Sequence, residues 1–267
     1  MKADMHVHTT FSVDGKSTME EQCIKAIQKG ITHICFTEHV DFNSFEYARW
    51  QFDAKAYFKE VERLRKVYPE LKILSGIEFS EPHLFLKEFN DMSTLPFDQI
   101  IASIHHCKNQ LFPAPKNLPM EQASKEYYEL MLKTVEFGKF QTLAHIDFPK
   151  RFFDEWLYNT KTLDEIFDIM IDKKMALEIN TSMSKGLDYE PMPKYSLIEQ
   201  YINRGGKRIV FGSDAHHADD LGKNFEIVDN KIPSTLEKGY FAEKRFIKFE
   251  DETLSKHQNE DIEELER

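Results

Sequence analysis

The chain has 267 residues, 41% hydrophobic and 30% charged, enough to bury a core as one large α/β barrel or two small domains. Its formal charge of -11 excludes a protein that grips long nucleic acid through clustered Lys and Arg, and favours a small substrate. No apolar run approaches the roughly 18 residues of a membrane span, and no signal peptide fits ahead of the first strand pattern. Three cysteines, Cys23, Cys35 and Cys107, make an odd count without a CxxC pair, so a reducing cytoplasm is the expected location.

Short apolar or β-branched runs alternate with stretches of helical period. Residues 3–8 predict a first strand; Thr18 with Glu21 three positions on is the capping-box spacing that opens a helix, closed by Gly30. A second strand over 33–39 precedes a helix over 53–68, halted by Pro69. Residues 73–79 and 99–105 predict the third and fourth strands, and 120–138 a long helix. A fifth strand over 142–147, a helix over 162–174 and a sixth strand over 176–182 follow. The helix over 195–204 closes at Gly205 and Gly206 before a seventh strand over 208–214. The connections suffice for right-handed crossovers between parallel strands. No repeat or Gly/Ser linker divides the chain, so one domain over 1–249 is expected, with 250–267 as an acidic tail that has little to bury. The connections 41–52 and 108–119 carry aromatics and prolines and are candidates to wall a pocket.

Metal-capable side chains stand where these strands end: His6, His8, Asp14, His39, Glu78, His105, His145, Asp214 and His216. His6 and His8 flank Val7, and strand alternation points both imidazoles the same way. In a parallel barrel all strand ends open on one face, where donors remote in sequence converge. Imidazole with carboxylate suits zinc, manganese or iron, and this many donors exceeds the need of one ion, so a cluster of two or three is expected. Close ions activate water and neutralise phosphoryl oxygens, which makes a metal-dependent phosphoesterase the first reading. His105 and His106 are neighbours that face opposite sides, so only one enters the cluster. His33, His83, His217 and His257 fall outside the pattern. Among other phosphatase chemistries, no Cys has Arg six positions on, and neither DxD nor GxxxxGK occurs. A metal amidohydrolase shares the HxH opening but fits the strand-three glutamate and the final SDAH less well. A non-catalytic binding module would have lost several donors.

The ordered motifs HVH (6–8), TEH (37–39), GIE (76–78), SIH (103–105), AHID (144–147) and SDAH (213–216) resemble the polymerase-and-histidinol-phosphatase (PHP) superfamily over nearly the entire chain. The resemblance implies a distorted (β/α)7 barrel, class α/β, with a metal cluster at the C-terminal ends of the strands. It implies a first ion on His6, His8, Glu78 and Asp214, a second on Glu78, His105 and His145, and a third on Asp14, His39 and His216. Zinc is the implied metal, with manganese or iron as alternatives, and Glu78, Asp214, His105 and His216 are the implied catalytic residues. AHIDFPKRF (144–152) and LEINTS (177–182) look most like the histidinol-phosphate phosphatases, which implies hydrolysis of L-histidinol phosphate in histidine biosynthesis. A phosphotyrosine phosphatase or a small-oligonucleotide exonuclease of the same superfamily is the alternative. Arg151, Asn180, Ser182 and Lys185 are the expected substrate contacts, with Lys150 as a further cation. Two positions depart from the family pattern: Glu38 stands where Asp is frequent, and Met183-Ser184-Lys185 where relatives commonly carry an arginine.

Overall fold

The computed structural model describes residues 3–43, 52–107, 110–111, 118–153, 155–183 and 189–251. Four parallel strands open the sheet: β1 (Ala3–Val7), β2 (His33–Val40), β3 (Lys72–Ser80) and β4 (Gln99–Ser103). A two-residue antiparallel pair, β5 (His106–Cys107) and β6 (Gln110–Leu111), leaves the sheet. The parallel series resumes with β7 (Thr142–Leu143), β8 (Ala176–Asn180) and β9 (Arg208–Gly212). β10 (Glu237–Ala242) then pairs parallel to β9 and turns back as an antiparallel hairpin with β11 (Arg245–Lys248).

Helices occupy the crossovers: α1 (Met19–Gln28), α2 (Ala54–Val67), α3 (Leu86–Ser93), α4 (Met120–Phe137), α5 (Thr160–Asp172) and α6 (Tyr195–Asn203), with a short α7 (Phe225–Asp229) after β9. Local chemistry explains their ends. Thr18 and Glu21 form both bonds of the capping box at α1, Asp53 accepts from the Ala56 N–H at α2, and Gly138 follows α4 with φ 66°. The fifth helix starts earlier than its periodicity suggests, because the Asn159 side chain accepts from the Thr162 N–H. The fifth strand is shorter than expected, since the chain leaves extended geometry at His145, whose φ is 22°. α3, α7 and the β10–β11 hairpin have no counterpart in the predicted elements.

The sheet curls until its first and seventh barrel strands meet. At their carboxyl ends the Asp214 N–H donates to the His6 carbonyl (2.8 Å) and the His8 N–H to the Ala215 carbonyl (2.9 Å). At the amino end of β9 the partner is β10 instead, with Glu237 opposite Arg208 and Lys238 opposite Ile209. The architecture is that of a (β/α)7 barrel, drawn together at the mouth and wedged by a hairpin at the floor. Outward strand residues such as Phe36, Ile77, Ile179 and Phe211 pack with Tyr57, Leu64, Leu163 and Phe167 of the helices in one cluster that reaches from Val7 to Leu236. Burying each such side chain contributes roughly 1.5–3 kcal/mol. A second cluster fills the floor: Ala3, Met5, Cys35, Leu74, Ala176 and Val210 from inside the barrel meet Tyr240 and Phe241 of the hairpin.

Candidate metal centre

Strand alternation aims His39 and Glu78 at the mouth and a bulge does the same for His6, while the other donors stand just past strand ends or in the loops that follow. On β2 and β3, the floor residues Cys35 and Leu74 lie four positions before His39 and Glu78, so floor and mouth share one face, while Asp214 follows two residues after β9 with φ 52°. On the first strand the floor residues are Ala3 and Met5, an odd number of positions from His6 and His8. A one-residue bulge switches the face: Asp4 lies opposite Ile34, but Val7 lies opposite Phe36. The backbone groups around the bulge are satisfied from inside the barrel. The Val7 N–H donates to Thr37 Oγ1 (3.1 Å), and Gln99 Nε2 donates to the Met5 carbonyl (3.0 Å). Gly76, two positions before Glu78, makes room for this layer, since a Cβ there would lie 2.9 Å from Thr37 Cγ2 and 3.0 Å from Cys35 Sγ.

All nine predicted donors converge. Glu78 is central: its Oε2 lies 3.4 Å from His6 Nε2, 3.5 Å from His8 Nε2 and 3.0 Å from His39 Nδ1, while its Oε1 lies 2.9 Å from His145 Nε2 and 3.3 Å from His105 Nε2. Asp214 Oδ1 is 3.4 Å from His8 Nε2 and 3.8 Å from His6 Nε2. On the lip, Asp14 reaches His216 Nε2 at 3.1 Å and His39 Nε2 at 3.7 Å, with its side chain 54% exposed. Asp41, not anticipated from the sequence, faces both His39 Nδ1 (3.8 Å) and His105 Nδ1 (3.9 Å). His106 turns the other way and pairs with Glu81 at 3.0 Å.

A further set of groups aims the donors. Glu178 Oε1 lies 2.5 Å from His6 Nδ1, and its Oε2 accepts the His145 N–H at 2.8 Å. Glu38 accepts from the hydroxyls of Thr9 and Ser12, each at 2.6 Å, and Ser12 Oγ sits 3.2 Å from His8 Nδ1. The Glu38 departure thus acts on the first-strand loop and touches no donor ring directly. Ser80 Oγ holds His105 Nδ1 at 2.7 Å. Non-glycine residues with positive φ recur here, at Glu81 (44°), His145 (22°) and Asp214 (52°), each a strain of roughly 1–3 kcal/mol that the surrounding bonds maintain. Glu178 had a legible signal: an acid inside the predicted sixth strand, two positions before Asn180, belongs on the interior face. Ser12 and Asp41 had none, because both lie in loops.

The electrostatics show what the cluster is built to hold. Burial favours a neutral Glu78, yet the imidazoles of His6, His105 and His39 hold its carboxyl well below the usual range. Asp214 is likewise held low, against burial, by His6, His8 and Arg151. Burial opposes a charge on His39 too, but Glu78, Asp41 and Asp14 raise it to about 9, and Glu178, Glu78 and Asp214 raise His6 well above the ordinary value. His8 is pushed down by burial and by the rings of His39 and His216, which stack on it at 4.1 and 4.3 Å. Meanwhile His6 Nε2 and His8 Nε2 face each other at 3.0 Å, a gap that one shared proton satisfies in part and a cation satisfies fully. Divalent ions substitute for the protons this buried set otherwise retains, so the donors fit a metal cluster by number, type and position.

Above the cluster lies a pocket of about 230 Å³ lined by Val13, Asp14, His39, Asp41, Glu78, His105, His145, Phe148, Arg151, Asp214 and His216. Arg151 rests over the Phe148 ring at 5.1 Å and donates to Asp214 Oδ2 (3.0 Å) and to Ser182 Oγ. Ser182 in turn bonds Asn180 Oδ1 at 2.6 Å, and Asn180 is fully buried behind the pocket wall. Lys150 turns away from the pocket, paired with Asp147 at 3.0 Å and bonded to the Pro191 carbonyl at 2.6 Å. Lys185, His257 and most of the tail lie outside the described residues, as do 44–51, 108–109 and 112–117 of the two aromatic loops. His33 packs on Tyr240, His83 bonds Thr134, and His217 caps a short turn. Among the described residues no helix is long and apolar enough to cross a membrane.

Comparison with known proteins agrees with this architecture. A Clostridium acetobutylicum protein described as a probable histidinol-phosphatase is 33% identical over 263 residues, covering 93% of this chain and all of its own length. One of the same description from Thermotoga maritima is 32% identical over 233 residues, 86% of this chain and 90% of that one. Among solved structures, histidinol phosphate phosphatase from Lactococcus lactis, complexed with zinc, L-histidinol and phosphate, superposes with a TM-score of 0.81 at 26% identity, over 92% of this chain and 99% of that one. The PHP domain model matches residues 4–182, and the chain belongs to the PHP domain family.

Proposed function

We propose that this protein is a metal-dependent phosphomonoesterase that hydrolyses L-histidinol phosphate to L-histidinol and inorganic phosphate, with zinc as its metal. The observation that carries the reading is Glu78, whose two carboxylate oxygens are shared between opposite histidine sets at the mouth of a barrel that superposes on a relative solved with zinc, L-histidinol and phosphate. On this reading His6, His8, Glu78 and Asp214 hold one ion, Glu78, His105 and His145 a second, and Asp14, His39 and His216 a third on the exposed lip. Ions held there supply Lewis acidity toward the phosphoryl oxygens and make water acidic enough to attack near neutral pH.

The chain's own groups supply orientation. Arg151 borders the pocket with its Nε buried and without a partner among the described residues, so an arriving phosphate gains a guanidinium donor already steadied by Phe148, Ser182 and Asp214. Asn180 and Ser182 act by holding Arg151 and Asp214 in place. Phe148 and Val13 offer apolar walls to the carbon skeleton of the ester. The functional unit spans residues 1–249, with 250–267 appended to it, and works in the cytoplasm as an enzyme of histidine biosynthesis. A kinetic screen of zinc-loaded protein against histidinol phosphate, a phosphotyrosine peptide and short oligonucleotides tests the substrate. The first is expected to have the highest kcat/KM; preference for either of the others overturns it.

A further inference from the structure

Glu178 is fully buried on β8, away from the pocket, and meets three nitrogens at once. Its Oε1 lies 2.5 Å from His6 Nδ1. Its Oε2 accepts the His145 N–H at 2.8 Å and Asn180 Nδ2 at 3.3 Å. The orientation of the Asn180 amide follows from its other end, where Oδ1 accepts from the Ser182 N–H and hydroxyl. We infer that Glu178 is a positioning residue that sets the ring tautomer of His6 and the seat of His145 together, and so makes the two ion loci on either side of Glu78 a single unit. The inference rests on the metal-centre reading above.

The chemistry is that of an acceptor with no donor. An ionised carboxylate accepts at both oxygens, so the proton of a neutral His6 ring resides on Nδ1 and the Nε2 lone pair is left facing Glu78, His8 and Asp214. The same group anchors the backbone of His145 in its φ of 22°, and that residue's Nε2 lies 2.9 Å from the far oxygen of Glu78. One carboxylate therefore ties together a histidine on each side of the bridging glutamate. The strand beside it is shaped to this purpose: a Cβ on Gly212 would lie 2.3 Å from Glu178 Oε1 and 2.5 Å from His6 Cβ. β9 passes the His6–Glu178 pair as glycine because nothing larger fits.

Glutamine has the size of glutamate but one acceptor and one donor. With its oxygen toward His6, its NH2 confronts the His145 N–H and the Asn180 amide, donor against donor. With its oxygen toward His145, its NH2 confronts His6 Nδ1, and the ring accepts that bond only by moving its proton to Nε2, the lone pair a metal needs. Either arrangement disables a locus. The test is zinc stoichiometry and chelator competition on the wild type and Glu178→Gln, together with long-range 1H–15N correlation of the His6 ring in the zinc-loaded wild type. Expected are a His6 proton on Nδ1 in the wild type and zinc affinity about 10–100-fold lower in the variant. Unchanged affinity in Glu178→Gln overturns the inference while the metal centre stands; a wild-type His6 proton on Nε2 removes His6 from the first ion and overturns both. A wild type that retains no zinc overturns both. Should Glu178→Gln fail to fold, Glu178→Asp decides: its shorter arm cannot span His6 Nδ1 and the His145 N–H together, so zinc affinity should fall there as well, and wild-type affinity overturns the inference.

Discussion

The two ends of the barrel are built from the same strands and have opposite characters. At the floor the inward positions are Ala3, Met5, Cys35, Leu74, Ala176 and Val210, closed by Tyr240 and Phe241. At the mouth, two to four positions further along, they are Glu78, His39, Glu178 and Asp214, joined through the bulge by His6 and His8. The floor is a dry apolar contact of the kind that stabilises. The mouth gathers buried charge and positive φ, which cost stability until a ligand compensates. Stability and chemistry are thus separated along the barrel axis, with Thr37, Gly76 and Gln99 as the layer between.

The separation is open to attack from either end. Glu78→Gln is expected to lower turnover on the order of 10³-fold or more, because the bridging charge is lost, while the metal-free protein melts within about 5 °C of wild type. Near-normal rates would show that the mouth does not work through Glu78. At the floor, Tyr240 is 1% exposed, with His33 against its ring at 4.5 Å and Lys72 Nζ at its hydroxyl. Tyr240→Ala should cost about 3–5 kcal/mol in denaturant unfolding, with the kcat of the folded fraction unchanged. A fall in kcat comparable to that of Glu78→Gln would mean the two ends are coupled.

The smallest effect concerns pH. His39 is raised from an ordinary 6.5 to about 9, burial being outweighed by Glu78, Asp41 and Asp14. A group raised on folding stabilises fully below its unfolded value and loses that contribution as pH climbs through its folded one. Metal-free protein should therefore lose melting temperature between pH 6.5 and about 9. Zinc affinity should instead improve over the same range, since ligating imidazoles must be neutral. Melting curves recorded with chelator and with zinc separate the two trends; a metal-free protein that gains stability with rising pH would contradict the packing of His39 against these carboxylates.

Much of this was readable without coordinates, because much of it is local. Alternation, the Thr18–Glu21 box and the stops at Gly30 and Gly138 depend on neighbours a few positions away, and they suffice to count the seven barrel strands. The donors were readable for a related reason: in a parallel barrel a strand's carboxyl end is a known place, so a residue type at that end carries its own address. What remained hidden depends on partners remote in sequence. The interior place of Glu178 is legible but its partner His6, 172 positions away, is not; Gln99 reaches Met5 across 94, and Lys150 is drawn from the pocket to the Pro191 carbonyl across 41. The bulge that turns the first strand's histidines inward is a one-residue mismatch between β1 and β2, set by the pairing of two strands. The floor hairpin is hidden for the same reason, since its apolar face acquires meaning only against the open end of a barrel formed by everything before it.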